Sequence, residues 1–443
     1  MTPARDDDFC LPVTLHDPDP SPASPARRAL YVFSPWPPQR NGLADYILEY
    51  LPLLARDHQL FLVAESGSAA AVRARFALQP SVQVLDEVEF LARQPDPAGQ
   101  ILYNIGNNGD CAYILDHAHR FPGVTIVHDV SLFYLHQEAA RRAHMHPLMG
   151  SWLVDDHFQV PDDFLNRDGS LNRTPGLLYQ ECLMLRRLLA ASTGVMVHTA
   201  YAERRLRGNA LDVPLGQAAG RPLARIPHFV LQPSELLAPE QVVAMLEGFE
   251  IRDDDFLLLV PGFLTGNKML YEILVAYQAA CQQVSGLRLV FAGEERPQEY
   301  ALSRRIEQLW PQGPRPLVTG YLDADELDVL LGRADLSFVL RFPTYGESSG
   351  ILPRAAMGGG EVITVDIGAY PEFQSPAVHH VSVGRRTVAE LTDGILAAHA
   401  RRCPPGERAQ RRAAESARAT ALSPQSLYRQ LKQLLDDSWA AAA

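Results

Sequence analysis

One stretch of the chain connects a predicted strand to a predicted helix, and it reads Arg341-Phe342-Pro343-Thr344-Tyr345-Gly346-Glu347-Ser348-Ser349-Gly350-Ile351-Leu352-Pro353-Arg354. An apolar run at 336–340 precedes it, and a helical pattern at 352–357 and a second apolar run at 361–366 follow it. Strand, turn, helix and strand in this order are typical of a parallel sheet. Because the first turn of a helix has free N–H groups and a positive dipole end, we expect an anion such as a diphosphate there. Glu347 lies beside that place, where it would accept hydrogen bonds from hydroxyls that the phosphate carries, and this indicates a nucleotide-sugar site.

The same alternation of apolar runs and helical patterns repeats through both halves of the chain. Strand-like runs lie at residues 30–33, 60–63, 82–85, 101–104, 125–128 and 195–198, and again at 256–260, 287–291, 318–321, 336–340 and 362–365. Near-continuous apolar strands that alternate with helices indicate a parallel sheet covered on both faces. The sequence therefore predicts an α/β chain of two Rossmann-like, doubly wound domains, with ligand crevices at the carboxyl ends of the strands.

The length of 443 residues is too great for one ordinary core, so we expect two domains. Residues 1–28 are acidic and proline-rich, and we predict a flexible tail. The first domain is expected at 29–235, with a loop-rich insertion near 152–174 that is either an acceptor-side lid or a surface excursion. The second is expected at 236–443, ending in a terminal helix.

Composition limits the partners and the compartment. The formal net charge of −12 argues against nucleic acid as the main partner, although it leaves a nucleotide ligand open. The five cysteines are dispersed, which favours reduced thiols in a cytoplasmic protein. No apolar run reaches the roughly 18–20 residues that span a bilayer, and no signal peptide is apparent. We expect a soluble, cytoplasmic protein with no transmembrane segment, for which peripheral membrane contact stays open.

Three loops carry further candidates in the first half. The loop at 34–42 lacks a G-x-G-x-x-G pattern, so a dinucleotide site is disfavoured. Gly42 in this loop either brings backbone amides to a sugar or phosphate or satisfies local geometry. His128 and Asp129 end a strand, where the imidazole contacts a sugar hydroxyl or is a half-buried histidine, with Asp129 capping the next helix. The same alternatives apply to His198, which also ends a strand.

Two loops carry further candidates in the second half. Lys268 lies between a strand and a helix, where it either reaches a pyrophosphate or is a solvated surface lysine, and its position favours the first role. Asp366 and Glu372 follow a later strand and either contact ligand or cap the next helix. No Asp-x-Asp motif stands out as a metal clamp: 253–255 precedes a strand, and Asp323 is expected to cap a helix.

Together these segments resemble the family 4 glycosyltransferases, which are retaining enzymes of the GT-B fold, from about residue 31 to residue 372. The similar segments are the glycine loop at 37–44, the strand-end His128-Asp129, the phosphate-binding turn at 262–268, and the acidic signature region at 346–350, 358–360 and 366–372. The resemblance implies two Rossmann-like domains that face a central cleft. It also implies an acceptor-side first domain, a donor-binding second domain, no cofactor and no divalent metal.

The sequence departs from the family pattern at two positions. Phe263 stands where an arginine is expected to grip the diphosphate together with Lys268. Arg354 stands where a second glutamate holds the ribose in the family, and Glu347 matches the first glutamate only with a shift of one residue. Arg354 either replaces the missing cationic contact or lies on a solvated helix face.

The resemblance implies transfer of a sugar from a nucleoside diphosphate sugar to a hydroxyl of a glycan, polysaccharide or lipid-linked acceptor, with retention. It assigns catalytic roles to Glu347, His128 and Lys268 and donor-binding roles to Gly42, Asp129, Ser348, Ser349, Gly350, Ile351 and Arg354. Three alternatives remain: a nucleotide-sugar epimerase, a phosphorylase, and a non-catalytic glycosyltransferase-like partner subunit.

Overall fold

A computed structural model describes residues 27–77, 82–93, 101–156, 164–172, 176–209, 215–216, 220–231, 237–310 and 315–442. They fall into two compact units, which divide at Pro227 and His228, ahead of the predicted boundary near residue 235. The boundary lies here because residues before it contact the first unit and residues after it contact the second. The Ile226 amide donates to the Val197 carbonyl in the first unit, whereas Val230 packs on Met357 in the second.

The first unit is a parallel sheet with helices on its faces. Its described strands are β1 Arg28–Phe33, β2 His58–Ala64, β3 Val82–Asp86, β4 Ile101–Ile105, β5 Gly123–Val127, β6 Ser192–Val197 and β7 Leu223–Arg225. Its helices are α1 Gly42–Asp57, α2 Ala69–Arg75, α3 Glu87–Ala92, α4 Ala112–Arg120, α5 Phe133–Arg142, α6 Leu148–Asp155, α7 Gly176–Glu181, α8 Arg186–Ala191 and α9 Ala200–Asn209. The strand order is β3-β2-β1-β4-β5-β6-β7, so the direction of winding reverses between β1 and β4.

The second unit repeats this arrangement. Its described strands are β8 Phe256–Pro261, β9 Leu287–Ala292, β10 Leu317–Val318, β11 Leu336–Val339, β12 Glu361–Val365 and β13 Val378–Val381. Its helices, numbered along the chain, are α10 Pro239–Gly248, α11 Leu270–Cys281, α12 Leu302–Leu309, α13 Ala324–Arg333, α14 Ile351–Met357, α15 Thr387–Arg401 and α16 Pro405–Ala421. The order β10-β9-β8-β11-β12-β13 reverses between β8 and β11, where a doubly wound sheet opens a crevice at its carboxyl edge.

The apolar runs explain why the predicted α/β architecture is confirmed. β8 and β12 are buried along their whole length, as expected of central parallel strands. β13 was not predicted, because its sequence Val378-His379-His380-Val381 lacks a continuous apolar run. At the edge of the sheet only its first and last residues are buried.

The terminal helix α17, Pro424–Ala442, follows the second unit in sequence but packs in the first. Leu427, Leu431 and Leu434 are buried at helical spacing, and the helix lies against β6 and α1. The Tyr428 hydroxyl donates to Asp57 Oδ2 at 2.8 Å. The prediction that placed this helix in the second domain is therefore wrong, because its apolar stripe matches the first sheet.

The predicted tail and insertion fall largely outside the described residues. Residues 1–26 are not described, and β1 begins at the end of the predicted tail. Within the predicted insertion, residues 157–163 and 173–175 are not described. Between them, Leu165 and Leu171 form an antiparallel bridge around a turn. Whether this segment is a lid stays a prediction.

Candidate functional site

Lys268 lies in the loop that connects β8 to α11, and it is buried, with 7% of its surface exposed. Its Nζ donates to the carbonyl of Pro261 at the end of β8. Gly262 next to it has a left-handed φ of +81°, and a Cβ there would lie 3.1 Å from Lys268 Nζ. A glycine is therefore needed for the backbone conformation and leaves room for the ammonium group. The alternative of a solvated surface lysine does not fit this burial.

Arg341 follows β11 and reaches the same loop. Its Nη1 donates to Asn267 Oδ1 at 2.8 Å and to Thr265 Oγ1 at 3.3 Å. The amide of Phe342 also donates to the Asn267 carbonyl, at 2.7 Å. Since β8 and β11 are neighbours in the sheet, these bonds fix two loops together at the point where the winding reverses.

Two basic side chains, Lys268 and Arg341, thus lie at the carboxyl edge of the second sheet. Burial, and after it the charge of Arg341, holds the pKa of Lys268 well below its usual range. An anion bound here would favour the charged form of Lys268 and offset the repulsion between the two cations. The sequence interpretation gave Arg341 no role. The available signal was its place directly after a buried strand, at the edge where such sheets bind ligands.

The candidates around the start of α14 belong to the second unit. Ser349 Oγ accepts from the Leu352 amide at 3.1 Å, so it caps the helix that begins at Ile351. A Cβ on Gly350 would lie 3.1 Å from the His228 ring, so this position favours a small residue. The buried hydroxyl of Ser348 has no hydrogen-bond partner among the described residues, which makes it a candidate for ligand contact.

Arg354 is engaged between two helices of the second unit. Its Nε donates to Asp328 Oδ1 at 2.6 Å, and its Nη2 donates to the Ala324 carbonyl at 2.6 Å. These bonds tie α14 to α13, whose N-terminus Asp323 caps as predicted. The guanidinium thus has a structural partner, and its donor-binding role stays a prediction.

Glu347 belongs to the first unit by its contacts, together with Tyr345 and Gly346. Its Oε2 accepts from the Tyr345 amide at 2.7 Å, which closes a tight turn. Gly346 in this turn has a φ of +75°, and a side chain there would collide with Val130. The turn therefore depends on glycine, and it fixes the place of the Glu347 carboxylate.

His128 is buried at the end of β5 in the first unit, and both its ring nitrogens have partners. Nε2 lies 2.6 Å from Asn104 Oδ1, and Nδ1 lies 3.2 Å from Nε2 of His198. His198 Nδ1 in turn lies 3.0 Å from the Ile226 carbonyl. His128 therefore fits the alternative in which its ring is hydrogen-bonded within the protein. Its partners are the side chains of Asn104 and His198, whereas the prediction expected the backbone.

The two remaining first-unit candidates have different environments. Asp129 Oδ2 accepts from the Asn107 amide at 2.6 Å. Since α5 begins at Phe133, with Leu132 before it, Asp129 does not cap that helix. Gly42 is the first residue of α1, and a Cβ there would meet no atom within 4 Å, so open space surrounds it.

The candidate residues divide between the units. Gly42, His128, Asp129 and Glu347 lie in the first unit, whereas Lys268, Ser348, Ser349, Gly350, Ile351 and Arg354 lie in the second. Asp366 and Glu372 are exposed. In the described part of the chain, no cluster of three or more His, Cys, Asp or Glu side chains is arranged to hold a metal ion. Among the same residues, no helix has the length and apolar character to cross a membrane.

Several solved structures are similar to this chain. HepE from Anabaena, solved with UDP and glucose, has a TM-score of 0.60 and 12% identity, with 93% of this chain and 100% of that chain covered. The sucrose-phosphate synthase of Thermosynechococcus elongatus has a TM-score of 0.60 and 18% identity, with 94% and 100% covered. WaaG, a glycosyltransferase involved in lipopolysaccharide biosynthesis, has a TM-score of 0.55 and 12% identity, with 93% and 99% covered.

No protein-family model matches the chain, and no curated protein matches it in sequence. At the identities of the solved structures, the likeness establishes the fold. The chain has two Rossmann-like domains in the GT-B fold, and the predicted resemblance is confirmed at the level of the fold.

Proposed function

We propose that this chain is a glycosyltransferase that moves a sugar from a nucleoside diphosphate sugar to an acceptor hydroxyl. The observation that carries the proposal is the pair of basic side chains, the buried Lys268 and Arg341, at the switch point of the second sheet. As the bond between sugar and diphosphate breaks, negative charge grows on the leaving phosphate. A bound diphosphate favours the charged form of Lys268, and two positive side chains held in fixed positions then stabilise the growing charge, which is a principal source of catalysis in such reactions.

Arg341 takes over, in this proposal, the role that the family gives to an arginine at the position of Phe263. The Phe263 ring is packed under the Arg296 guanidinium, 4.8 Å from its centroid, and is engaged away from ion binding. Asn267 and Thr265 hold the Arg341 guanidinium against the phosphate-binding loop. A guanidinium in fixed orientation suits the two oxygens of a phosphate.

The remaining candidates would bind the rest of the donor. We assign the Ser348 hydroxyl, Ser349, Gly350 and Ile351 to the nucleotide side and Glu347 to the sugar hydroxyls. Because both ring nitrogens of His128 are engaged, we assign it a role through position and charge rather than a direct hydrogen bond to the sugar. Gly42 and Asp129 are kept as donor-side residues on the resemblance.

The finer features rest on the family resemblance. These are retention at the anomeric carbon, independence from a divalent metal, and a glycan, polysaccharide or lipid-linked acceptor. We choose UDP as the first nucleotide to test because the HepE structure contains it.

A second candidate is a non-catalytic, glycosyltransferase-like subunit. It is favoured by one observation, which is the engagement of Arg354 by Asp328 at the position where the family holds ribose. A chain that has lost ribose recognition would bind nucleotide weakly. Nucleotide binding therefore separates the two candidates.

The test is calorimetric binding of UDP and GDP, followed by release of free nucleoside diphosphate from a panel of their sugars. We expect Arg341→Ala to weaken binding about tenfold to a hundredfold, because hydrogen bonds to charged groups contribute about 1.5–3 kcal/mol. Arg385→Ala, which removes an exposed arginine of the same unit, is the charge-matched control and should bind as the wild type does. A folded wild-type protein that binds neither nucleotide would reject the proposal.

A further inference from the structure

A chain of hydrogen bonds runs along the carboxyl edge of the first sheet. It passes from Ser34 after β1 through Asn104 in β4, His128 after β5 and His198 after β6 to the carbonyl of Ile226 beyond β7. These five residues, here called the edge chain, follow the spatial order of the strands β1-β4-β5-β6-β7. His198 within it has no role in the function proposed above.

The direction of the hydrogen bonds is fixed at both ends of the edge chain. Asn104 Nδ2 donates to the Leu43 carbonyl at 2.9 Å, so Asn104 Oδ1 is the atom that faces His128 Nε2 and requires a proton from it. At the other end, the Ile226 carbonyl can only accept, so His198 Nδ1 must carry a proton. The central contact, between His128 Nδ1 and His198 Nε2, needs a proton as well.

Three contacts therefore require three protons, whereas two neutral imidazoles carry two. With both rings neutral, one of the three contacts always brings two lone pairs together. One additional proton satisfies all three contacts and gives the pair a single positive charge. Both histidines are buried, at 8% and 5% exposure, so water does not readily replace the missing bond.

The groups around the two histidines are compatible with a single positive charge on the pair. The ring of Tyr46 packs edge-on against them, with centroids 4.5 Å from His128 and 5.3 Å from His198. Burial raises the pKa of Tyr46 well above its usual range and that of Tyr50 to about 12, so both phenols of α1 are neutral. The Asp129 carboxylate, next to His128 in sequence, accepts from the Asn107 amide at 2.6 Å. Arg225 and Glu203, from β7 and α9, lie 3.6 Å apart and pair with each other.

We propose that His128 and His198 share one proton beyond the two of neutral imidazoles, and that His198 is a positioning residue for His128. The shared proton holds the His128 ring between Asn104 and His198 and places one positive charge at this edge of the sheet. The two rings then gain and lose that proton as one unit.

The first experiment records ¹⁵N spectra of the full chain labelled with [¹⁵N]histidine, from about pH 6 to about pH 8. We expect signals from His128 and His198 that shift together with a single midpoint, with three protonated ring nitrogens at the low-pH end. Difference spectra against His198→Asn and His198→Gln assign the signals. Spectra that show two neutral rings over the whole pH range, or two rings that titrate independently, would overturn the proposal that the histidines share a proton.

The two variants also separate position from charge. In His198→Asn the amide Nδ2 replaces Nδ1 and keeps the bond to the Ile226 carbonyl, but nothing reaches His128. In His198→Gln the amide Nε2 replaces the ring Nε2 and donates to His128 Nδ1 without an extra proton. Comparing them therefore tests whether His128 needs a partner, a charge or both.

The turnover measurement rests on the proposed glycosyltransferase function. We expect His198→Asn to lower the release of nucleoside diphosphate from the donor sugar about tenfold, the loss of one hydrogen bond. We expect His198→Gln to stay within about threefold of the wild type and to lose the decline with rising pH that the wild type shows as the pair gives up its proton. An unchanged rate and pH profile in His198→Asn would overturn the positioning role. If no donor is turned over, the proposed function fails, and the spectra still decide the shared proton.

Discussion

The carboxyl edges of the two sheets share one topology and differ in how their polar groups are balanced. At the first edge, Asn104, His128 and His198 bond one another in a row that follows the strands. At the second edge, Lys268 donates to the Pro261 carbonyl, and Arg341 donates to Asn267 and Thr265 of the same loop. Hydrogen bonds along the first edge hold side chains in position, whereas two basic side chains at the second edge favour the binding of an anion.

The largest expected effect is at the second edge. Lys268→Met removes the buried ammonium, so we expect the affinity for UDP to fall about a hundredfold. The free protein should become more stable, by about 1–3 kcal/mol in urea unfolding, because a buried cation no longer has to be accommodated. A fall in UDP affinity together with a rise in the free energy of unfolding would identify Lys268 as a binding group. A loss of stability together with affinity would show instead that Lys268 supports the fold.

The next effect concerns the first edge. Asn104→Ala leaves the Ser34 hydroxyl, the Leu43 carbonyl and the His128 ring without their common partner. We expect the free energy of unfolding to fall by about 2–3 kcal/mol, because buried polar groups lose their bonds. UDP affinity should change less than threefold, since the nucleotide is assigned to the second unit. A loss of UDP affinity as large as that of Lys268→Met would contradict the assignment of nucleotide binding to the second edge alone.

A smaller, pH-dependent effect follows from Lys268. Its lowered pKa means that, between that value and about 10.5, the folded chain binds fewer protons than the unfolded chain. Stability of the free protein should therefore rise with pH across this window relative to Lys268→Met. UDP requires the charged form, so its affinity should fall as pH rises, by at most about tenfold per unit. Calorimetry in two buffers of different ionisation enthalpy should show proton uptake on UDP binding in the wild type and none in Lys268→Met.

The smallest effect is expected at Arg354. Its bonds to Asp328 and to the Ala324 carbonyl join α14 to α13, so Arg354→Leu should lower stability by about 1–2 kcal/mol and leave UDP affinity within threefold. Differential scanning calorimetry and UDP titration of the same preparation measure both. A tenfold loss of affinity at unchanged stability would restore Arg354 to the nucleotide site.

The architecture could be predicted from the sequence because central parallel strands are apolar along their length. The place of Lys268 between a strand and a helix could be predicted from the apolar patterns on either side of it, and its role at a phosphate stays a prediction. The pairing of His128 with His198 could not, since it depends on β5 and β6 being neighbours. Nor could the bond of Arg354 to Asp328, which needs the packing of two helices. Arg341 was missed because a single arginine after a strand looks like a surface residue until the neighbouring loop is placed.

The position of α17 has a consequence for synthesis on the ribosome. The helix that covers β6 and α1 of the first unit is made after the whole of the second unit. N-terminal domains ordinarily complete their folding first as a chain emerges. Here the second unit is released from the ribosome with all its elements while the first still lacks its last helix. A nascent chain arrested before residue 424 should therefore expose an apolar groove on the first unit, which holdase chaperones can recognise.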